Sequence, residues 1–81
     1  MIIQVTQQHI DSGLKGSCTS DPIALALKDA TTDDVWASPS YLVWWENGKR
    51  KSIQTPDQVY LFMQRFDTRE PVQPFEFELS E

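Results

Sequence analysis

The sequence predicts a small α+β domain: a mainly antiparallel sheet of about four to five strands with helices packed on one face. Three observations carry this prediction. Asn47-Gly48 lies between two extended segments, and it is the strongest short hairpin signal a sequence can hold, because a type I′ turn needs positive φ at both central residues. Val59, Phe62, Met63 and Phe66 fall at i, i+3, i+4 and i+7, which is one apolar stripe of a helix. Phe75, Phe77 and Leu79 alternate with Glu76 and Glu78, the signature of a strand with one buried face.

The remaining elements follow in chain order. Ile2, Ile3 and Val5 are β-branched and read as a first strand. Thr6 is placed to cap a short helix from Gln7 to Ser12, and Gly13 to stop it in the left-handed conformation. Lys15 to Ser20 is a loop of small residues. Asp21 followed by Pro22 is a cap-then-proline helix start, and Ile23 to Leu27 is apolar on every side, as in a buried helix that ends at Lys28 and Asp29. Ala30 to Asp34 reads as a polar turn, and Val35 to Ser38 as a strand interrupted at Pro39. Tyr41 to Trp45 is a stronger strand, returned after the turn by Arg50 to Gln54. Thr55-Pro56 repeats the cap-then-proline start, and Asp67 to Glu70 ends the striped helix before Pro71.

The 81 residues form one domain, 1–81, with no internal repeat or linker. A chain this short buries roughly 60% of the surface that it exposes when unfolded, so it uses most of its apolar residues in its core or gains a partner subunit. With 40% hydrophobic and 11% aromatic residues it is too apolar to be disordered. The formal net charge of -5 disfavours duplex nucleic acid and anionic membrane surfaces, which both reward positive charge. A single cysteine, Cys18, excludes an internal disulfide. The N-terminal residues lack the basic and apolar regions of a signal peptide, and no apolar run approaches the ~20 residues that span a bilayer. The expected location is the cytoplasm.

Nothing in the sequence assembles a catalytic centre. Nucleophilic catalysis needs a nucleophile, a base and a group that orients the base. His9 and Cys18 are the one histidine and the one cysteine, and the simpler reading makes them a cap-region histidine and a packing thiol. His9, Asp11 and Cys18 are ligand types, but one Cys and one His do not close a tetrahedral zinc site. No metal or other cofactor is expected.

Two stretches are candidate binding sites. Lys15, Gly16, Ser17, Thr19 and Ser20 offer small and hydroxyl-bearing side chains just before a helix start, where amides and the helix dipole attract anions. Asp21, which brings negative charge to the same place, favours an ordinary capping loop. The second stretch is Tyr41 to Trp45, apolar on both faces. A thin two-layer domain covers only one face of a sheet, so Tyr41, Trp44 and Trp45 are the candidate interface, for a partner or for a homo-oligomer. The alternative is that helices or the C-terminal segment wrap the second face. Lys49, Arg50 and Lys51 form the one basic cluster; they suit phosphate contacts beside a stacked base, and better suit a charged edge strand that resists aggregation.

Three segments carry a resemblance: His9-Ile-Asp-Ser-Gly13; Gly16-Ser-Cys18 leading into Pro22-Ile-Ala-Leu-Ala-Leu27; and Phe66-Asp with Pro71-Val-Gln-Pro-Phe75-Glu-Phe77. Together they resemble a group of short uncharacterised proteins common in bacteriophage and some bacterial genomes. In that group the loop often reads Cys-x-x-Cys-Pro, whereas here Asp21 stands at the second position. The resemblance implies a phage or mobile-element setting and brings no activity with it. The function expected from all this is non-enzymatic: binding or sequestering a host protein or small signalling molecule, as a counter-defence or host-takeover factor. The alternatives are a sponge for a small nucleotide or cyclic nucleotide held at the Lys15–Ser20 loop, a small hydrolase built on His9, and an acidic mimic of nucleic acid.

Overall fold

A computed structural model describes all 81 residues, and it places three helices and five strands in a small α+β globule. The strands are β1 (Ile2–Val5), β2 (Trp36–Ala37), β3 (Tyr41–Glu46), β4 (Lys49–Gln54) and β5 (Phe75–Glu78). The helices are α1 (Gln7–Ser12), α2 (Pro22–Ala30) and α3 (Asp57–Asp67). The strands do not form one sheet. β1 pairs with β5 across nearly the whole chain, and β2, β3 and β4 make a separate antiparallel sheet. The split is a matter of non-local pairing, which no local pattern encodes.

The hairpin forms as its turn residues demand. Asn47 and Gly48 have φ of 53° and 76°, and Glu46 pairs directly with Lys49. α2 also starts as expected: the Asp21 carboxylate accepts the Ala24 N–H at 2.7 Å, and Pro22 occupies the first turn. The helix runs on to Ala30, past the expected stop at Lys28 and Asp29.

Two expected caps work differently. Thr55 does not cap α3; its Oγ1 donates to the Ser38 carbonyl at 2.7 Å and ties β4 to the loop before β3, while Pro56 holds the cap position without a side-chain bond. Gly13 is extended (φ -71°, ψ 148°) and not left-handed. Its lack of a side chain serves close approach, since a Cβ there would lie 2.5 Å from Pro22 Cδ and 2.8 Å from Pro22 N. Gly13→Ala is therefore expected to push α1 away from the start of α2 and to cost about 1–3 kcal/mol. Urea unfolding of the variant measures this, and an unchanged midpoint contradicts it.

α2 lies against both sheets, touching β1 and β2, and packs on α1. One continuous core results. Ile3, Val5, Phe77 and Leu79 come from the first sheet and its end, Ile23, Ala24, Ala26 and Leu27 from α2, Val59, Phe62 and Met63 from α3, and Ala37, Leu42 and Trp44 from the second sheet. The stripe of α3 meets β5 through aromatic rings, with Phe62 and Phe75 centroids 5.0 Å apart. No helix is long and apolar enough to cross a membrane.

Candidate functional site

Pairing in the second sheet decides which aromatic residues face out. Leu42 pairs with Ile53 and Ala37, and these side chains share the inner face with Trp44. Trp44 is 2% exposed, and its indole N–H donates to Glu46 Oε1 at 3.2 Å. It is a core residue, so the expectation that Trp44 belongs to an interface is corrected. A ring packed into the core has no free face to offer.

The outer face carries the other set. Tyr41, Val43 and Trp45 alternate away from the core, opposite Gln54, Ser52 and Arg50 respectively. Trp36 pairs with Val43 and stands on the same side. Tyr41 is 58% and Trp36 49% exposed, whereas Val43 and Trp45 are half-buried. The result is an aromatic platform built from two strands with a polar third strand beside it. Trp36 was missed in the sequence because Val35 to Ser38 carries only a weak strand signal. Its position two residues after exposed Asp34, with Val35 buried between Asp34 and Trp36, shows the alternation that would have found it.

At one end of the platform Tyr41 lines a hollow of about 400 Å³ with Tyr60, Asp57 and Gln54. A larger hollow, about 460 Å³, lies elsewhere, between α3 and residues 71–75, and Arg65 is its one charged residue. β4 is an edge strand, and the basic cluster divides around it. Arg50 shares the outer face with Trp45, while Lys51 pairs with Trp44 and reaches Glu81, Nζ to Oε1 at 3.4 Å. This fits the charged-edge reading of the cluster.

The Lys15–Ser20 loop is brought together, with acidic side chains at its Gly16 end and at the helix start that follows it. The Gly16 N–H donates to Asp67 Oδ1 at 3.2 Å, the Leu14 N–H to the Ser20 carbonyl at 2.8 Å, and the Asp21 N–H to the Ser17 carbonyl at 3.0 Å. Asp21 and Asp67 already occupy the places an anion would take. Burial pushes the Asp21 carboxyl up to about 6, the Ala24 and Ile23 amides oppose this, and the Asp67 charge adds to it. Cys18 is half-buried in the same cluster; burial pushes its thiol up, and the Asp21 and Asp67 charges push it the same way. It is a poor nucleophile.

His9 is a structural staple. Its Nδ1 accepts the Thr6 backbone N–H at 3.0 Å and lies 3.1 Å from Thr6 Oγ1. The other ring nitrogen therefore carries the proton, and Nε2 donates to Asp29 Oδ2 at 2.5 Å. One imidazole thus closes the capping box of α1 and joins it to the last turn of α2. A histidine beside an aspartate has the outline of a general base, yet here the nitrogen a base would use is already bonded to the backbone. No group of three or more His, Cys, Asp or Glu side chains is arranged to hold a metal ion. The acidic residues near the C-terminus are partly neutralised: Glu78 by the N-terminal ammonium at 3.1 Å, and Glu81 by Lys51.

Comparison with protein-family models, with curated proteins and with solved structures finds no match to this chain. The class defined by fold and site is therefore a small α+β protein with an aromatic sheet face.

Proposed function

We propose that this chain is a non-enzymatic binding protein that acts by occupying a protein partner through the outer face of its three-stranded sheet. The observation that carries this reading is the exposure of Trp36 and Tyr41 beside Val43 and Trp45 on one face. Trp and Tyr anchors dominate binding energy at protein interfaces, and a contiguous exposed apolar patch carries a solvation cost that a partner relieves. The resemblance to short phage and bacterial proteins makes the partner a host factor, occupied as a counter-defence or host-takeover step. The nucleotide-sponge alternative draws less support, because Asp67 accepts the Gly16 amide and Asp21 caps the helix that follows, which sets two acidic side chains at the loop.

The test is affinity capture from bacterial host extract with the wild-type chain and with Trp36→Asp. Trp36 is exposed, so the variant keeps its fold. The expected result is one host protein retained in stoichiometric amount by the wild type and lost with Trp36→Asp. Equal retention by both, or capture of nothing but a nucleotide, overturns the reading.

A further inference from the structure

The hollow between α3 and residues 71–75 lies apart from the aromatic sheet face and shares no residue with it. Its two walls differ in kind. On α3, Gln58, Leu61 and Arg65 fall at i, i+3 and i+7, so they stand in one row along the helix. At about 1.5 Å per residue that row is roughly 10 Å long. The other wall, Pro71 to Pro74, is a strap without regular structure, and its half-buried Val72 packs on the core. Phe62 and Phe75, with ring centroids 5.0 Å apart, join the two walls.

Two features define what suits this hollow. Leu61 is 49% exposed, on a helix whose other aliphatic and aromatic lining residue, Phe62, is buried. Arg65, the one charged residue of the lining, has no carboxylate partner, for the ion pairs of the chain are Met1–Glu78, His9–Asp29 and Lys51–Glu81. The two acids that follow it closely in sequence are engaged elsewhere. Asp67 Oδ1 accepts the Gly16 N–H at 3.2 Å, and Glu70 Oε2 accepts the Thr68 hydroxyl at 2.7 Å. In a chain with 12 acidic against 7 basic residues, the hollow thus collects one base and no acid.

We propose that this hollow binds a small monocarboxylate with an apolar body. Arg65 holds the carboxylate through the paired N–H donors of its guanidinium, a fork that matches the two oxygens. The apolar body lies against Leu61, Phe62 and Phe75. Gln58, at the other end of the row, is left for a polar group on the ligand. The volume of about 460 Å³ falls within the roughly 300–1,000 Å³ usual for small-molecule sites. A carboxylate alone finds one surface arginine, and an apolar body alone leaves Arg65 unused; the two together use the whole lining. Arg65 and Leu61 are exposed, so the affinity is modest, with a dissociation constant on the order of 1 mM for a ligand of about ten non-hydrogen atoms.

The probe is octanoate, titrated to about ten times that constant into the isotope-labelled full chain and followed by amide NMR. Saturable shifts are expected at Leu61, Arg65, Val72 and Gln73, with the Trp36 and Trp45 amides unmoved. Octanol, which has the same chain and no charge, is expected to bind roughly tenfold more weakly, and so is octanoate to Arg65→Gln. Leu61→Glu, which sets an acid beside the arginine, is expected to abolish binding. Both positions are exposed, so both variants keep the fold, and the dispersion of the same spectra verifies it. No saturation across the titration, shifts centred outside the hollow, or Arg65→Gln binding octanoate as tightly as wild type each overturns the inference. Capture of a host partner through Trp36 is decided separately, since the hollow and the sheet face have no residue in common.

Discussion

Trp44→Ala is expected to cost about 3–5 kcal/mol, the largest effect of any single truncation in this chain, while Trp45→Ala costs about 1 kcal/mol or less. The two tryptophans are neighbours in sequence and sit on opposite faces of β3. Trp44 is the largest of the fully buried side chains, packed in the same core as Leu42 and the faces of α2 and α3. Removing it leaves a void that well-packed neighbours fill only in part, and lost dispersion contacts add to the lost transfer energy. A domain of this length holds roughly 4–12 kcal/mol of stability, so Trp44→Ala removes a large fraction of it. Trp44→Phe, which keeps most of the volume, is expected to recover more than half of the loss. Urea midpoints of the four proteins decide the matter; equal losses for Trp44→Ala and Trp45→Ala contradict the assignment of faces.

Asp21→Asn is expected to stabilise the protein at neutral pH and to leave it unchanged near pH 4. Burial first, and the Asp67 charge in addition, raise the Asp21 carboxyl to about 6 from its ordinary 3.8. The folded state therefore keeps a proton between pH 4 and 6 that the unfolded chain has released. By linkage, the stability associated with this group is fully present below pH 4 and is lost as pH rises through 6. Each pH unit across that window removes about 1.4 kcal/mol, so the whole loss is on the order of 3 kcal/mol. Asparagine caps a helix as well as aspartate does and still accepts the Ala24 N–H, but it has no charge to bury. The stability difference between Asp21→Asn and wild type should thus open from near zero at pH 4 to on the order of 1–3 kcal/mol at pH 7.5. A difference that is flat with pH, or that favours wild type at neutral pH, contradicts this account.

Local chemistry was the legible part of this sequence. Asn47-Gly48, Asp21-Pro22, the Val59 to Phe66 stripe and the Phe75 to Leu79 alternation each name an element by steric or hydrogen-bonding need, and each element is present. What local pattern does not carry is partnership across the chain. The pairing of β1 with β5, the reach of Asp67 to the Gly16 amide and that of His9 to Asp29 all join residues far apart in sequence. They divide one expected sheet into two and set a second carboxylate, Asp67, beside the loop that Asp21 ends.

The orientation of β3 is an intermediate case. Both its faces are apolar, so the strand alone does not say which points inward. The turn fixes the register, however, and the register sets Arg50, Ser52 and Gln54 beside Trp45, Val43 and Tyr41, against Ile53 beside Leu42. Polar partners line the whole of one face, whereas the other holds Ile53 beside Leu42 and Lys51 beside Trp44, and the isoleucine marks the buried side. The face was encoded in β4, one strand away from where it was sought.

The central claim is that Trp36 and Trp45 belong to a contact surface while Trp44 belongs to the core. Fluorine NMR of the chain labelled with 5-fluorotryptophan resolves the three residues in a single spectrum. In dilute protein the Trp36 and Trp45 resonances should show the larger solvent-isotope shifts. Both should move when a host partner binds, with Trp44 unchanged throughout. A Trp44 resonance that responds to solvent or to association, or three resonances that stay fixed under every condition, would contradict the account.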